Sequence, residues 1–208
     1  MIARSLTAEY FAEKKFDHPE GGRWSELISG EVVTLEPPPD AHGVAVLNIS
    51  KALARYLELN PEGYACFELG LIVERSPDCV YCPAISYFVG GTRFAEMDNV
   101  VSQSCPALVV EVASTRDRSR FMPYRVEQYF RMGASVVWVA DPQQKRVSVS
   151  LPEQEPLVLG AGDVIRSGDH WWRTRPSSPF LEEFELGVEQ IFLDPDWYGG
   201  KPRKKRST

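Results

Sequence analysis

"PALVVEVAS", residues 106–114, is a near-continuous apolar run with one carboxylate, Glu111, in its interior. Its length and β-branched content read as a buried strand. On its C-terminal side the sequence predicts a helix to Met132, ended by Gly133. The strand "SVVWVAD" follows, and "KRVSVSL" returns across the turn "PQQ". On its N-terminal side, "YACFELGLIVE" (64–74) and "YCPAISYFV" (81–89) read as strands. Before them, Val46, Ile49, Leu53 and Tyr56 recur at helical spacing in 41–60, and Leu57 widens that face. "WSELISGEVVTLEPPP" reads as a hairpin turning at Ser29-Gly30. Thr7 caps a short first helix, "AEYFAEKKF", whose Phe11 and Phe16 are available for docking. The last third reads as a small hairpin and a closing helix. This order of elements predicts an α/β fold: a mixed sheet flanked by helices, with additional β-hairpins.

A chain of 208 residues that is 43% apolar can bury a full core, so residues 1–196 are expected to form one domain. Residues 197–208, with the basic block "KPRKKRST", read as a solvated tail. A net charge of −6 argues against strong binding of polyanions by charge alone. No signal-peptide core and no bilayer-length apolar window are found, which predicts a cytoplasmic protein with no membrane partner. Cys66, Cys79, Cys82 and Cys105 include only one close C-x-x-C pair. Two such pairs make a strong zinc signature, so buried, reduced thiols are the expectation and a zinc-stabilised interaction module the alternative.

Glu111 demands a reason. A carboxylate inside "LVVEVA" is costly to bury without a metal, a cation or hydrogen bonds, although an edge-strand glutamate facing solvent is the plainer alternative. Glu26 in "WSELISGEVV" and Glu68 in "CFELGLIV" repeat the pattern. Three such carboxylates suggest convergence on one site, and hard oxygen ligands suit Mg²⁺ or Mn²⁺.

The blocks "SELISGEVV", "PPPDAHG", "FELGLIV", "CPAISYFV", "ALVVEVAS", "RVEQYFRMG" and "VVWVADP" follow one another in this order between about Thr7 and Phe192. In this they resemble the Uma-two family of putative restriction endonucleases, within the PD-(D/E)XK nuclease superfamily. The resemblance implies a restriction-endonuclease-like core and metal-dependent phosphodiester hydrolysis, with Mg or Mn as cofactor and DNA as substrate. It assigns Glu111 as a metal carboxylate, and Glu26, Glu68, His42, Gly133, Trp138 and Asp141 agree with its pattern. Ala84 stands where the family places the aspartate of Pro-Asp. Arg125, four residues before Tyr129, stands where it places a lysine, and Phe121 where it places an aspartate; Tyr81 replaces a basic residue. Pro123 lies in the turn that normally starts this helix, which implies a later start.

These departures predict a degraded metal site, with Glu26, Glu68, Glu111 and Arg125 lining one cleft above Ala84 and Glu68 and Glu111 as the remaining metal ligands. Loss of an aspartate by design would leave its neighbours intact, whereas Tyr81, Phe121 and Arg125 depart too, which favours natural decay. The expected function is binding of nucleic acid or a protein, a second copy of the chain included, with little or no cleavage. The alternative is an active Mg- or Mn-dependent endonuclease in which Glu26 or Glu68 serves with Glu111. His42-Gly43 opens the long helix as a further site candidate, and Trp171-Trp172 with Arg173 and Arg175 reads as an aromatic pair in a hairpin that could stack bases.

Overall fold

In the computed structural model, which describes residues 5–90, 92, 94–167 and 181–195, the elements run as follows. Helix α1 (Ala8–Lys14) precedes the hairpin β1 (Ser25–Ile28) and β2 (Glu31–Thr34), and α2 (Asp40–Leu59) precedes β3 (Tyr64–Phe67) and β4 (Gly70–Glu74). Next come β5 (Cys79–Tyr81), β6 (Ile85–Phe88), β7 (Val101–Ser102) and β8 (Leu108–Val112). Helices α3 (Arg116–Arg120) and α4 (Met122–Met132) lead to β9 (Val136–Asp141), β10 (Arg146–Ser150) and β11 (Leu157–Leu159). Strands β12 (Val164–Arg166) and β13 (Glu185–Gly187) and the short α5 (Val188–Ile191) complete the order.

Two mixed sheets, a six-stranded one, β11-β10-β9-β8-β6-β3, and a five-stranded one, β2-β1-β5-β4-β7, hold eleven of these strands, and β12 pairs with β13 as a separate two-stranded sheet. In the larger sheet β8 and β9 are parallel and the other pairs antiparallel. The parallel pair needs a crossover, which α3 and α4 supply. Every residue of β8 is buried, and its two faces serve two cores. Leu108, Val110 and Val112 join Ile49 and Leu53 of α2 and Val188 and Ile191 of α5. Val109 faces the opposite way, toward Tyr129 of α4 and Leu71 of β4. Glu111 has the parity of Val109, so the fold aims it at α4 and the smaller sheet.

The α/β class and the mixed sheet agree with the sequence reading, and so do the hairpin and α2. Ser29 and Gly30 both take positive φ (51° and 76°), as a two-residue hairpin turn requires. The runs 64–74 and 81–89 are not single strands. Glu68 (φ 51°) breaks the first, and Pro83 with Ala84 breaks the second, so each run passes from one sheet to the other. Phe16 does not dock; it is 68% exposed, while Phe11 is fully buried. The helix before Gly133 is two helices parted at Phe121, and Pro123 sits in the first turn of α4, where its missing N–H costs nothing. Of the proposed sites, Trp171, Trp172, Arg173, Arg175 and the basic tail lie outside the described residues. No helix among the described residues is long and apolar enough to cross a membrane.

Candidate functional site

The second side chain of β1 is Glu26, and the fourth of β8 is Glu111; both are buried, at 1% and 4% exposure. From α4, Arg125 reaches between them. Its Nη1 and Nη2 donate to the two oxygens of Glu26 at 2.6 and 2.9 Å, a bidentate pair. Its Nε and Nη2 donate to Glu111 Oε1 at 2.8 and 2.7 Å. One helical turn on, the Tyr129 hydroxyl donates to the same Oε1 at 2.5 Å. The Cys82 amide donates to Glu26 Oε1 at 2.7 Å. Tyr81 closes the cluster, with its ring 4.3 Å from the guanidinium carbon, a cation–π contact.

Burial works against the charge on Arg125, but Glu111 and Glu26 outweigh it and hold its pKa well above the ordinary value. Burial, with help from the carboxylates and against the guanidinium, pushes the Tyr129 phenol far up, so it stays a donor. Two carboxylates therefore share one permanent cation and two neutral donors.

A small cleft of about 20 Å³ opens beside this cluster, lined by Glu26, Glu68, Ala84 and Glu111 together with His42. The structure thus brings the three glutamates and Ala84 to one place. Continuing the β6–β8 register sets Ala84 opposite Glu111. Arg125 is not on the cleft wall; the guanidinium groups there belong to Arg23 and Arg118. Arg118 is the buried one. Its Nη1 donates to the Glu36 carbonyl at 2.6 Å, and Arg118 and Arg23 both lie against the Trp24 ring, 5.6 and 5.4 Å from its centre. Glu68 differs from its fellow carboxylates in being exposed, at the corner between β3 and β4.

At the start of α2, His42 is buried and its Nδ1 lies 2.9 Å from the Ser114 hydroxyl. Burial, assisted by Arg118, lowers its pKa to about 4, so the ring is neutral at pH 7. Phe121, at the position of an expected aspartate, is 54% exposed with Arg120 over its ring.

The donor set does not fit a Mg²⁺ or Mn²⁺ centre of the expected kind. Both oxygens of Glu26 and one of Glu111 are taken by Arg125, and Ala84 offers no oxygen. Among the described residues, no group of three or more His, Cys, Asp or Glu is placed to hold a metal. Cys66, Cys79, Cys82 and Cys105 form no such group. Cys79 Sγ accepts from the Ser29 amide at 3.1 Å, and Cys82 Sγ lies 3.2 Å from Lys15 Nζ, its thiol pushed up to about 11 chiefly by burial. Cys66 is buried as expected, whereas Cys105 is exposed. Preceding Pro106 at the mouth of β8, Cys105 lies in a connection that the apolar run does not cover.

Arg118, Trp24 and the Cys82 amide escape a reading of the sequence. Arg118 sits among three other arginines in 116–125, and nothing in its spacing separates it from a solvated charge. Tyr129 had a signal, its fixed distance of four residues from Arg125.

No curated protein matches the chain. It is similar to a solved structure, a putative nuclease belonging to DUF820 from Anabaena variabilis ATCC 29413, with 19% identity and a TM-score of 0.66 over 87% of this chain and 96% of that one. At that identity the likeness is one of fold. A family model described as Uma2, putative restriction endonuclease, matches residues 11–170. That match spans well over half of the 208 residues, and the chain belongs to the Uma2 family of putative restriction endonucleases.

Proposed function

We propose that this chain is a nuclease-fold protein whose metal site has decayed, and that it binds nucleic acid with little or no cleavage. The observation that carries this reading is the Arg125 network. A guanidinium that pairs with both Glu26 and Glu111 supplies the positive charge that a divalent cation would otherwise bring. A cation entering the same carboxylates must break buried, charge-assisted bonds and sit beside a like charge. Arginine also holds its proton at any ordinary pH, so it cannot draw one from water as a lysine of shifted pKa can.

Binding is supported by the cleft margin, where Arg23 and Arg118 flank Trp24. Arg23 is exposed there and can contact a phosphate, while Arg118, buried and bonded to the Glu36 carbonyl, lies against the Trp24 ring. The test is supercoiled plasmid with Mn²⁺. The wild type should cut no more than a Glu111→Ala control, and should retard the same DNA in a gel at low salt, releasing it as salt rises. If the wild type cuts and the control does not, the site is alive and Glu26 or Glu68 serves with Glu111. A chain that neither cuts nor retards DNA overturns the nucleic-acid reading.

A further inference from the structure

Strand β3 ends the six-stranded sheet, and among the described residues its far side has no partner strand. The ladder shows which of its backbone groups are free. Tyr87 accepts from the Ala107 amide at 2.8 Å, so its backbone is spent on the β8 side. Its partner across β3–β6 is Ala65, which is therefore a non-hydrogen-bonded position of that pair and turns its N–H and C=O to the open edge. Phe67, two residues on, does the same.

That edge borders a groove of about 630 Å³, distinct from the small cleft although Arg23 and Glu68 belong to both. Large apolar side chains stand around it in water: Phe16 is 68% exposed, Met97 57% and Phe67 50%. An open edge beside exposed apolar residues is a feature that soluble proteins otherwise suppress.

The charge of the groove selects its occupant. Among the described residues that line it, Glu20, Glu68 and Asp98 are exposed against one exposed cation, Arg23. Lys15 is buried and engaged with Cys82. Glu96 is held by Ser104 and Asn99 at 2.5 and 3.0 Å and serves its own loop. The surplus is acidic, which repels a polyanion and suits lysine or arginine.

We propose that the open edge of β3 docks an extended basic segment of a partner protein, which adds to the six-stranded sheet as a further strand. Backbone bonds to Ala65 and Phe67 would fix its direction and register, apolar side chains would cover Phe67 and Met97, and basic ones would meet Glu20 and Asp98. This inference does not depend on the fate of the metal site.

The test uses the full chain and a fluorescein-labelled peptide, Lys-Val-Thr-Val-Lys-Val-Lys. Saturable binding by anisotropy is expected, weakened about tenfold or more by Glu20→Lys with Asp98→Lys, a loss of charge complementarity at the groove. The exposed pair Glu153→Lys with Glu155→Lys, on the far edge of the same sheet, carries an equal charge change and should leave binding unaltered. Amide hydrogen exchange should slow at Ala65 and Phe67 when peptide is added, and the same peptide with proline for its central valine should bind more weakly. Absence of saturable binding, equal losses in the two lysine pairs, or no added protection at Ala65 and Phe67 each overturns the proposal. So does an oligothymidylate that protects those amides in the peptide's place.

Discussion

Arg125 holds two buried carboxylates, each within 3 Å, and removing it leaves both without a counter-charge. Breaking a buried ion pair from one side costs roughly 3–5 kcal/mol. For a chain of this size each kcal/mol moves Tm by about 2–4 °C. Arg125→Ala should therefore lower Tm by roughly 6–20 °C. Glu111→Gln should cost far less, about 0–1.5 kcal/mol, because the amide oxygen still accepts from Tyr129 and Arg125 keeps Glu26. Thermal melts in which Glu111→Gln is the worse variant would remove Arg125 as the keystone charge. His42 gives a second residue-scale test. Its folded pKa, about 4, lies below the usual 6.5, so the unfolded chain binds the extra proton between those values. Stability is thus present above pH 6.5 and falls as pH drops toward 4, by on the order of 3 kcal/mol in all. His42→Asn should flatten that part of the stability–pH curve. An unchanged slope between pH 6.5 and 4.5 would show that the ring is not held neutral.

At the scale of elements, what could be read from the sequence was whatever one element settles alone. The hairpin follows from Ser29-Gly30, α2 from its apolar spacing, and the burial of Glu111 from the valines on each side. What could not be read was which sheet a strand joins. Alternation fixes a strand's faces but carries no information about its neighbour, so "YACFELGLIVE" and "YCPAISYFV" look continuous although each crosses between sheets. The crossings are also what assemble the site, for they carry Glu68 and Ala84 to the cleft. The pairing of Glu26 with Arg125, 99 residues apart, was likewise invisible, because it depends on how the smaller sheet packs over α4. Glu68 makes the corner testable. At φ 51° a side chain is strained, a glycine is at ease and a β-branched residue is worse still. Glu68→Gly should be neutral or stabilising by up to about 1 kcal/mol, and Glu68→Val destabilising by roughly 1–3 kcal/mol. Equal urea midpoints for the two variants would mean that the corner tolerates an extended conformation.

Across the whole molecule, the family's fold is kept and two buried carboxylates at its centre close around an arginine, which in the proposed reading stands in for a metal. Such a substitution is self-consistent only if the number of carboxylates stays low. Ala84→Asp would add a fourth carboxylate to Glu26, Glu68 and Glu111 with Arg125 already spent on two of them, so repulsion should lower Tm in EDTA. The added carboxylate faces Glu111 across β6 and β8 and supplies the missing oxygen donors, so Mn²⁺ should restore the loss. With free Mn²⁺ at about a hundred times its Kd, the gain is about 2.7 kcal/mol. For this chain length that is a rise of roughly 5–11 °C in Tm. The wild type should show no such rise, and DNA cleavage by Ala84→Asp should stay weak until Arg125→Lys is added, since only the ammonium can give up a proton in the site. A wild type that gains as much from Mn²⁺ as Ala84→Asp does would mean that Glu68 and Glu111 suffice to hold the ion. The arginine would then be a companion of the metal and not its replacement.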